Sequence, residues 1–178
     1  MKFVNKSQDP WRTVVGDDGP MVTITCAPHL LLGLLQWRSV SHHWPAGMAV
    51  GVMLDNDHEV EDLAADLPRI ALVVLNFPKW VDGRAYTQAH LLRQRYRFGG
   101  EIRATGEVLV DMLPLLRRNG FDAVVLRADQ SRDAAERALG FFPGFYQGDV
   151  REHRPRFALS AHEQRLQAPD FLQQGASI

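Results

Sequence analysis

The feature that most constrains this chain is an alternation of short apolar runs with helix-like stretches through its middle. Residues 47–54, 70–77 and 121–127 are near-continuous apolar runs, the pattern of parallel strands covered on both faces. Residues 22–25 alternate β-branched side chains and are expected as a further strand, and 102–105 as a short one. Helices are expected at 28–37, 59–67, 86–97, 107–118 and 131–139. Local signals support them. Asp55, Asn56 and Asp57 offer caps before an acidic first turn (Glu59, Glu61, Asp62), and Pro68 stops that helix. Asn119-Gly120 supplies a left-handed close, Ser131 a cap, and Pro114 is expected to kink the helix that contains it.

Strand then helix, five times over, implies right-handed crossovers and an α/β fold: a mainly parallel five-stranded sheet built from repeated βα units. The alternation suits an open three-layer sandwich and a half-barrel equally. One domain is expected over 21–147, preceded by a turn-rich N-terminal extension or hairpin at 1–20. A polar C-terminal tail follows at 148–178, with one short helix near 160–167.

Composition removes several function classes. With 20 basic and 21 acidic residues the net charge is -1, so a nucleic-acid grip is not expected as the main role. One cysteine, Cys26, gives no internal disulfide and no thiolate metal or iron–sulfur site from this chain alone, and it reads as a core residue. Residues 19–37 carry no Asp, Glu, Lys or Arg, but Pro20, Pro28, His29 and two threonines interrupt them, so no membrane span is expected. The N-terminus lacks the apolar core of a signal peptide, and a cytoplasmic chain is expected. The seven histidines are scattered, and Asp55, Asp57 and Glu59 lack the Gly and distal Glu of a calcium loop, so no metal site is expected. No nucleophile elbow, dinucleotide fingerprint or P-loop occurs, so no cofactor is indicated, and catalysis is left open.

Ligands of parallel sheets and barrels sit beyond the carboxyl ends of the strands. Of those ends, residues 76–84 form the longest connection and mix aromatic with charged side chains: Phe77, Lys79, Trp80, Asp82, Gly83 and Arg84, with Tyr86 on the following helical turn. Asp82 is placed to accept backbone N–H groups, Gly83 to take positive φ, and Arg84 to project near a helix start. With Lys79 and Arg103 this is a candidate pocket for an oxyanion such as sulfate, phosphate, sulfite or carboxylate. The competing reading is a plain helix cap by Asp82 with Arg84 paired to an acid such as Glu107. Thr105-Gly106 is a similar turn, suited to close ligand approach or simply to a tight strand-to-helix junction. Arg93, Arg95, Arg97 and Arg103 with Tyr96 and Phe98 make a basic, aromatic stretch, read as a solvated or docking face ahead of an RNA-binding one.

The run Phe77-Pro-Lys-Trp-Val-Asp-Gly-Arg-Ala-Tyr86, then Leu91-Leu92-Arg93 and Gly100-Glu-Ile-Arg-Ala-Thr-Gly-Glu-Val108, followed by Asp111, Arg117, Gly120 and Phe121-Asp122-Ala123, carries a resemblance. Over roughly residues 20–147 the chain resembles a bacterial family labelled domain of unknown function 934. The family's genes commonly sit beside those of assimilatory sulfite reductase. The resemblance therefore implies a cytoplasmic accessory of sulfur assimilation with sulfite reductase as partner. Its motif positions here are Phe77, Lys79, Asp82, Gly83, Arg84, Tyr86, Arg103, Gly106 and Asp111. Trp80 stands where another aromatic is expected and Ala85 where Gly is expected, so the loop just after Arg84 is expected to differ. Two alternatives stand beside the accessory: a small enzyme in which Lys79 and Arg84 bind an oxyanion while Asp82 or Tyr86 moves a proton, and an RNA-binding module.

Overall fold

Seven strands, all parallel, form one curled sheet in a computed structural model that describes residues 1–14, 24–142, 144–160 and 162–163. The strands are β1 (Lys2–Phe3), β2 (Arg12–Thr13), β3 (Leu30–Gly33), β4 (Val50–Leu54), β5 (Leu72–Phe77), β6 (Glu101–Gly106) and β7 (Ala123–Val124). Their spatial order is β1-β7-β6-β5-β4-β3-β2. From β3 to β7 each strand lies beside its predecessor, with no reversal of order, so the sheet is a half-barrel. Among the described residues four helices complete the fold: α1 (Leu34–Val40), α2 (Arg84–Gln94), α3 (Leu113–Arg118) and α4 (Arg132–Gly140).

The period-two alternation of the strands sorts their side chains into two clusters. On the outer face Val50, Val52 and Leu54, Val73, Leu75 and Phe77, Ile102 and Ala104 pack with Trp37, Leu92, Leu113 and Leu116 of the helices. On the inner face Leu31, Leu72 and Val74 pack with Met53 and with Trp11 from the N-terminal segment. That segment is a strap. β1 pairs with β7 at one edge and β2 with β3 at the other, so residues 4–11 cross the inner face between the edges. Gly51 makes room for it, since a Cβ there would lie 3.1 Å from both the Trp11 ring and Leu31. Arg103, on the same face and buried, receives Asp9 of the strap and Glu101 of its own strand.

The sheet has seven strands because the first fourteen residues supply two short edge strands, each of two residues, too brief to show a period in the sequence. Lys2–Phe3 and Arg12–Thr13 do not pair with each other; each finds an opposite edge. The expected helix at 28–37 is split into β3 and α1: the run Leu30-Leu31-Leu32 suits either state by itself, and its register with Val50–Met53 decides for strand. Of the expected strand at 22–25, Val22 and Thr23 lie outside the described residues, and Ile24 and Thr25 are irregular. The helix expected at 59–67 is replaced by 3-10 turns at Val60–Leu63 and Leu67–Arg69. So few residues before Pro68 cannot repay helix nucleation, and the residue preceding a proline resists the α region. Pro114 kinks nothing: α3 begins only at Leu113, placing the proline in the first turn, where its missing N–H is harmless. Gly120, at φ +96°, closes α3 as expected. The helix expected near 160–167 is described only at 162–163, where Ser160 and Glu163 exchange capping bonds. Among the described residues no helix is long and apolar enough to cross a membrane.

Candidate functional site

At the carboxyl ends of β4 and β5 three side-chain amides tie the loop after β4 to its neighbours. Asn76 Nδ2 donates to Asp55 Oδ1 (3.3 Å), and Asn56 Nδ2 donates to Asp82 Oδ2 (2.5 Å). Gln88, buried on α2, donates Nε2 to the carbonyls of both Asp55 and His58 at 2.8 Å each. The β4 loop is thus held from below by a helix and from the side by the β5 loop. Within it the Asp55 N–H donates to His58 Nδ1 (3.2 Å), so in the neutral ring the proton sits on Nε2.

The Asp82-Gly83-Arg84 turn is self-contained. Asp82 Oδ1 accepts the Arg84 N–H (3.2 Å) and Nε (3.1 Å), and Oδ2 accepts the guanidinium NH2 at 2.7 Å. Because the Asp82 carboxylate bridges the turn, Gly83 needs no left-handed conformation and sits at φ -86° instead of the positive φ expected of it. Bonding to Arg84, aided by Asn56, holds the Asp82 carboxyl down to about 2. The arginine's acid partner is therefore Asp82 itself, two residues away, and not Glu107, which is taken by Arg127 (2.8 Å). Next to the turn, Trp80 is 56% and Val81 65% exposed, and Lys79 is exposed beside them.

The other candidate residues fall elsewhere. Phe77 is buried, in edge contact with Tyr86 (5.2 Å between centroids) and close to Phe121 (6.0 Å), so it is a core residue under the loop. Burial and the nearby Asp111 push the Tyr86 hydroxyl up to about 12. Arg103 lies on the inner face, its Nε and NH2 held by Glu101 at 2.8 and 2.6 Å and its NH1 by Asp9, and it does not join Lys79 and Arg84. Thr105 stands beside Asn76 in the sheet. With Gly106 it lines a separate open cleft of about 640 Å³ over the ends of β1, β6 and β7, shared with Lys6 and Arg127. Gly106 has φ +90°, and a Cβ there would come within 2.3 Å of the Phe77 carbonyl oxygen, so the junction itself demands glycine. Arg127 in this cleft is clasped by Asp129 and Glu107, which keep it protonated, and it in turn holds Asp129 at about 2.

The basic stretch at 93–103 makes no common surface. Arg93 is bound by Gly120 and Gly100 carbonyls and by Asp122, Arg95 pairs with Glu61, and Arg103 is inside. Asp55, Asp57 and His58 bring one ligand atom each within 4.8 Å of one another. Two of those groups are already engaged, the His58 Nδ1 by a backbone N–H and Asp55 by Asn76. Gln88 is the residue that sequence reasoning passed over. Its signal was a lone polar side chain on a helical stripe otherwise made of Ala85, Ala89 and Leu92.

Residues 51–157 match the profile of a family described as a bacterial protein of unknown function, DUF934. The chain belongs to this family. The matched region begins at β4 and contains every strand-end loop of the site from Asp55 onward. It runs ten residues beyond position 147, into the segment packed on α3, and stops short of the strap and β3 at the other end. A search of the curated proteins finds no match to the chain. In this DUF934 member the positions that the resemblance singles out separate physically into a surface turn (Lys79, Asp82, Gly83, Arg84), a support beneath it (buried Phe77 with half-buried Tyr86), the strand-end glycine Gly106 at the open cleft, the exposed Asp111 and an inner-face ion pair (Arg103).

Proposed function

We propose that this protein is a non-catalytic accessory of assimilatory sulfite reduction that docks on sulfite reductase through the loop at 78–84. The observation that carries the docking is Trp80 with Val81, exposed side by side on a turn that Asp82, Arg84 and Asn56 hold rigid. Exposed tryptophan on a preorganised loop is the kind of residue that anchors protein interfaces, because little entropy remains to be lost on binding. The choice of partner rests on the family resemblance.

The small-enzyme alternative fits this geometry less well. Arg84 already has its carboxylate, and the mouth sets Asp55, Asp57 and Asp82 against Arg84 and Lys79, which does not favour an anion. Asp82, held at about 2, and Tyr86, pushed to about 12, both sit far from the neutral range in which a proton carrier works best. The test is mass photometry of the full chain with the cognate sulfite reductase. A complex is expected for the wild type and its loss for Trp80→Ala, with the melting temperature unchanged because the side chain is mostly exposed. No complex with wild type, or one indifferent to Trp80→Ala, refutes the proposal.

A further inference from the structure

We infer that the groove between the C-terminal ends of α3 and α4 and the segment 144–159 is a second docking site, for an acidic protein segment with apolar anchors. It goes beyond the loop at 78–84 and lies at the opposite end of the sheet. In a βα unit the helix runs back against the strand, so these helix ends sit at the strands' amino ends.

The groove encloses about 510 Å³, with Phe142 and Phe145 on its walls and Arg117, Arg118, Arg151 and Arg154 around it. Its aromatic lining continues onto open surface. Phe141 is 71%, Tyr146 79% and Phe157 67% exposed, and with Phe142 they are four of the eight large apolar side chains that the described residues expose. They form neighbouring pairs, Phe141 with Phe142 at 5.0 Å and Tyr146 with Phe157 at 5.3 Å. Half of the exposed apolar side chains in one short segment is a patch, and patches of aromatic residues with arginine are what protein interfaces use.

Charge specifies the occupant. Four arginines face two acids of the lining, Asp149 and Glu152. Three of them are answered by acids: Arg118 lies 3.4 Å from Asp149 and stacks 4.3 Å over Phe145, Arg154 reaches Glu163 at 3.0 Å and Glu152 at 3.6 Å, and Arg151 reaches Asp122, so the charge that selects the occupant is that of Arg117. Arg117 meets no acid among the described residues, and its charge is free for a visitor's carboxylate. The wall is stiff, because Arg151 also donates to the carbonyls of Arg117 (3.1 Å) and Phe121 (2.9 Å). Asp149 and Glu152 would repel a run of phosphates yet leave room for single carboxylates between apolar anchors, which favours a protein segment over a nucleic acid strand.

The experiment is fluorescence anisotropy on the full chain with three labelled probes. One is an amphipathic peptide of about 16 residues with Leu and Phe on one face and Glu on the other, one is the same peptide with Lys for Glu, and one is single-stranded oligouridine. The acidic peptide is expected to bind, and to weaken as salt is raised. Arg117→Glu and Phe142→Ser should each weaken it about fivefold or more, while Trp80→Ala leaves it unchanged. Failure of the acidic peptide to bind refutes the inference, as does equal binding of the lysine peptide or preferential binding of oligouridine. Binding indifferent to both groove variants does the same. None of these results bears on the complex tested through Trp80.

Discussion

Asp9→Asn should loosen the strap, and its cost can be worked from the inner-face ion group. The Arg103 side chain is 2% exposed, with Glu101 holding Nε and NH2 and Asp9 holding NH1. Leaving a buried charge wholly uncompensated costs about 3–5 kcal/mol. Glu101 still compensates Arg103 in this variant, so the loss is nearer that of one hydrogen bond to a charged group, about 1.5–3 kcal/mol. For a chain of this size each kcal/mol lowers the melting temperature by about 2–4 °C, so a fall of about 3–12 °C is expected by calorimetry. Arg103→Met should cost more, about 3–5 kcal/mol, because it leaves Asp9 and Glu101 facing each other with only Lys2, 3.6 Å from Glu101, as cation. Adding Asp9→Asn to Arg103→Met should then restore stability instead of lowering it further, giving a coupling of at least about 1.5 kcal/mol in a double-mutant cycle. A shift under about 2 °C for Asp9→Asn, or strictly additive losses, would show that the strap is not held by this group.

Two glycines with positive φ give a paired test. Gly47→Ala, at φ +80° with nothing within 4 Å of the new Cβ, should cost only the backbone strain, about 1 kcal/mol, in urea unfolding. Gly106→Ala adds a clash with the Phe77 carbonyl oxygen at 2.3 Å and should cost at least about 2 kcal/mol more; equal costs would mean that the strand-end junction yields freely. Asp82 should titrate near 2 by carboxyl-carbon NMR and return toward 3.8 in Arg84→Ala. Its folded value lies below its unfolded one, so its contribution to stability is complete above the ordinary value and is lost as pH falls from there toward about 2. A midpoint unchanged by Arg84→Ala would assign the depression to another cause.

The sheet's central strands were legible because their apolar runs have a single explanation. Residues 70–77 and 102–105 appear within two residues as β5 and β6, and Ser131 caps α4, accepting from the Ala134 N–H. The edges were not legible. β1 and β2 gain their identity from partners more than a hundred residues away or across an intervening segment, and no local pattern of two residues records that. The same distance hid the fate of Arg103, because its partner Asp9 lies 94 positions away and the strap that brings it inside leaves no periodic trace. The turn at Asp82 was legible in its parts, as an aspartate that accepts a turn N–H beside an arginine, although the N-cap of α2 is Gly83 and carries no side-chain cap. Its closure was not, because whether Arg84 reaches outward or folds back two residues depends on the rotamer that Asn56 and Asp82 select together.

That closure bears on what the strand ends can do. Arg84 is answered by Asp82, Arg127 by Glu107 and Asp129, and Asp55 by Asn76, so the polar groups of these loops bond first to one another. Groups bonded in this way gain rigidity and lose chemical availability: the arginines hold Asp82 and Asp129 as carboxylates at about 2. This arrangement is what supports the docking proposal over the small-enzyme alternative. The Asp82-Arg84 pair on the loop is already compensated, and beside it and the exposed Lys79 stand two apolar side chains, Trp80 and Val81, whose burial would favour association under the docking proposal.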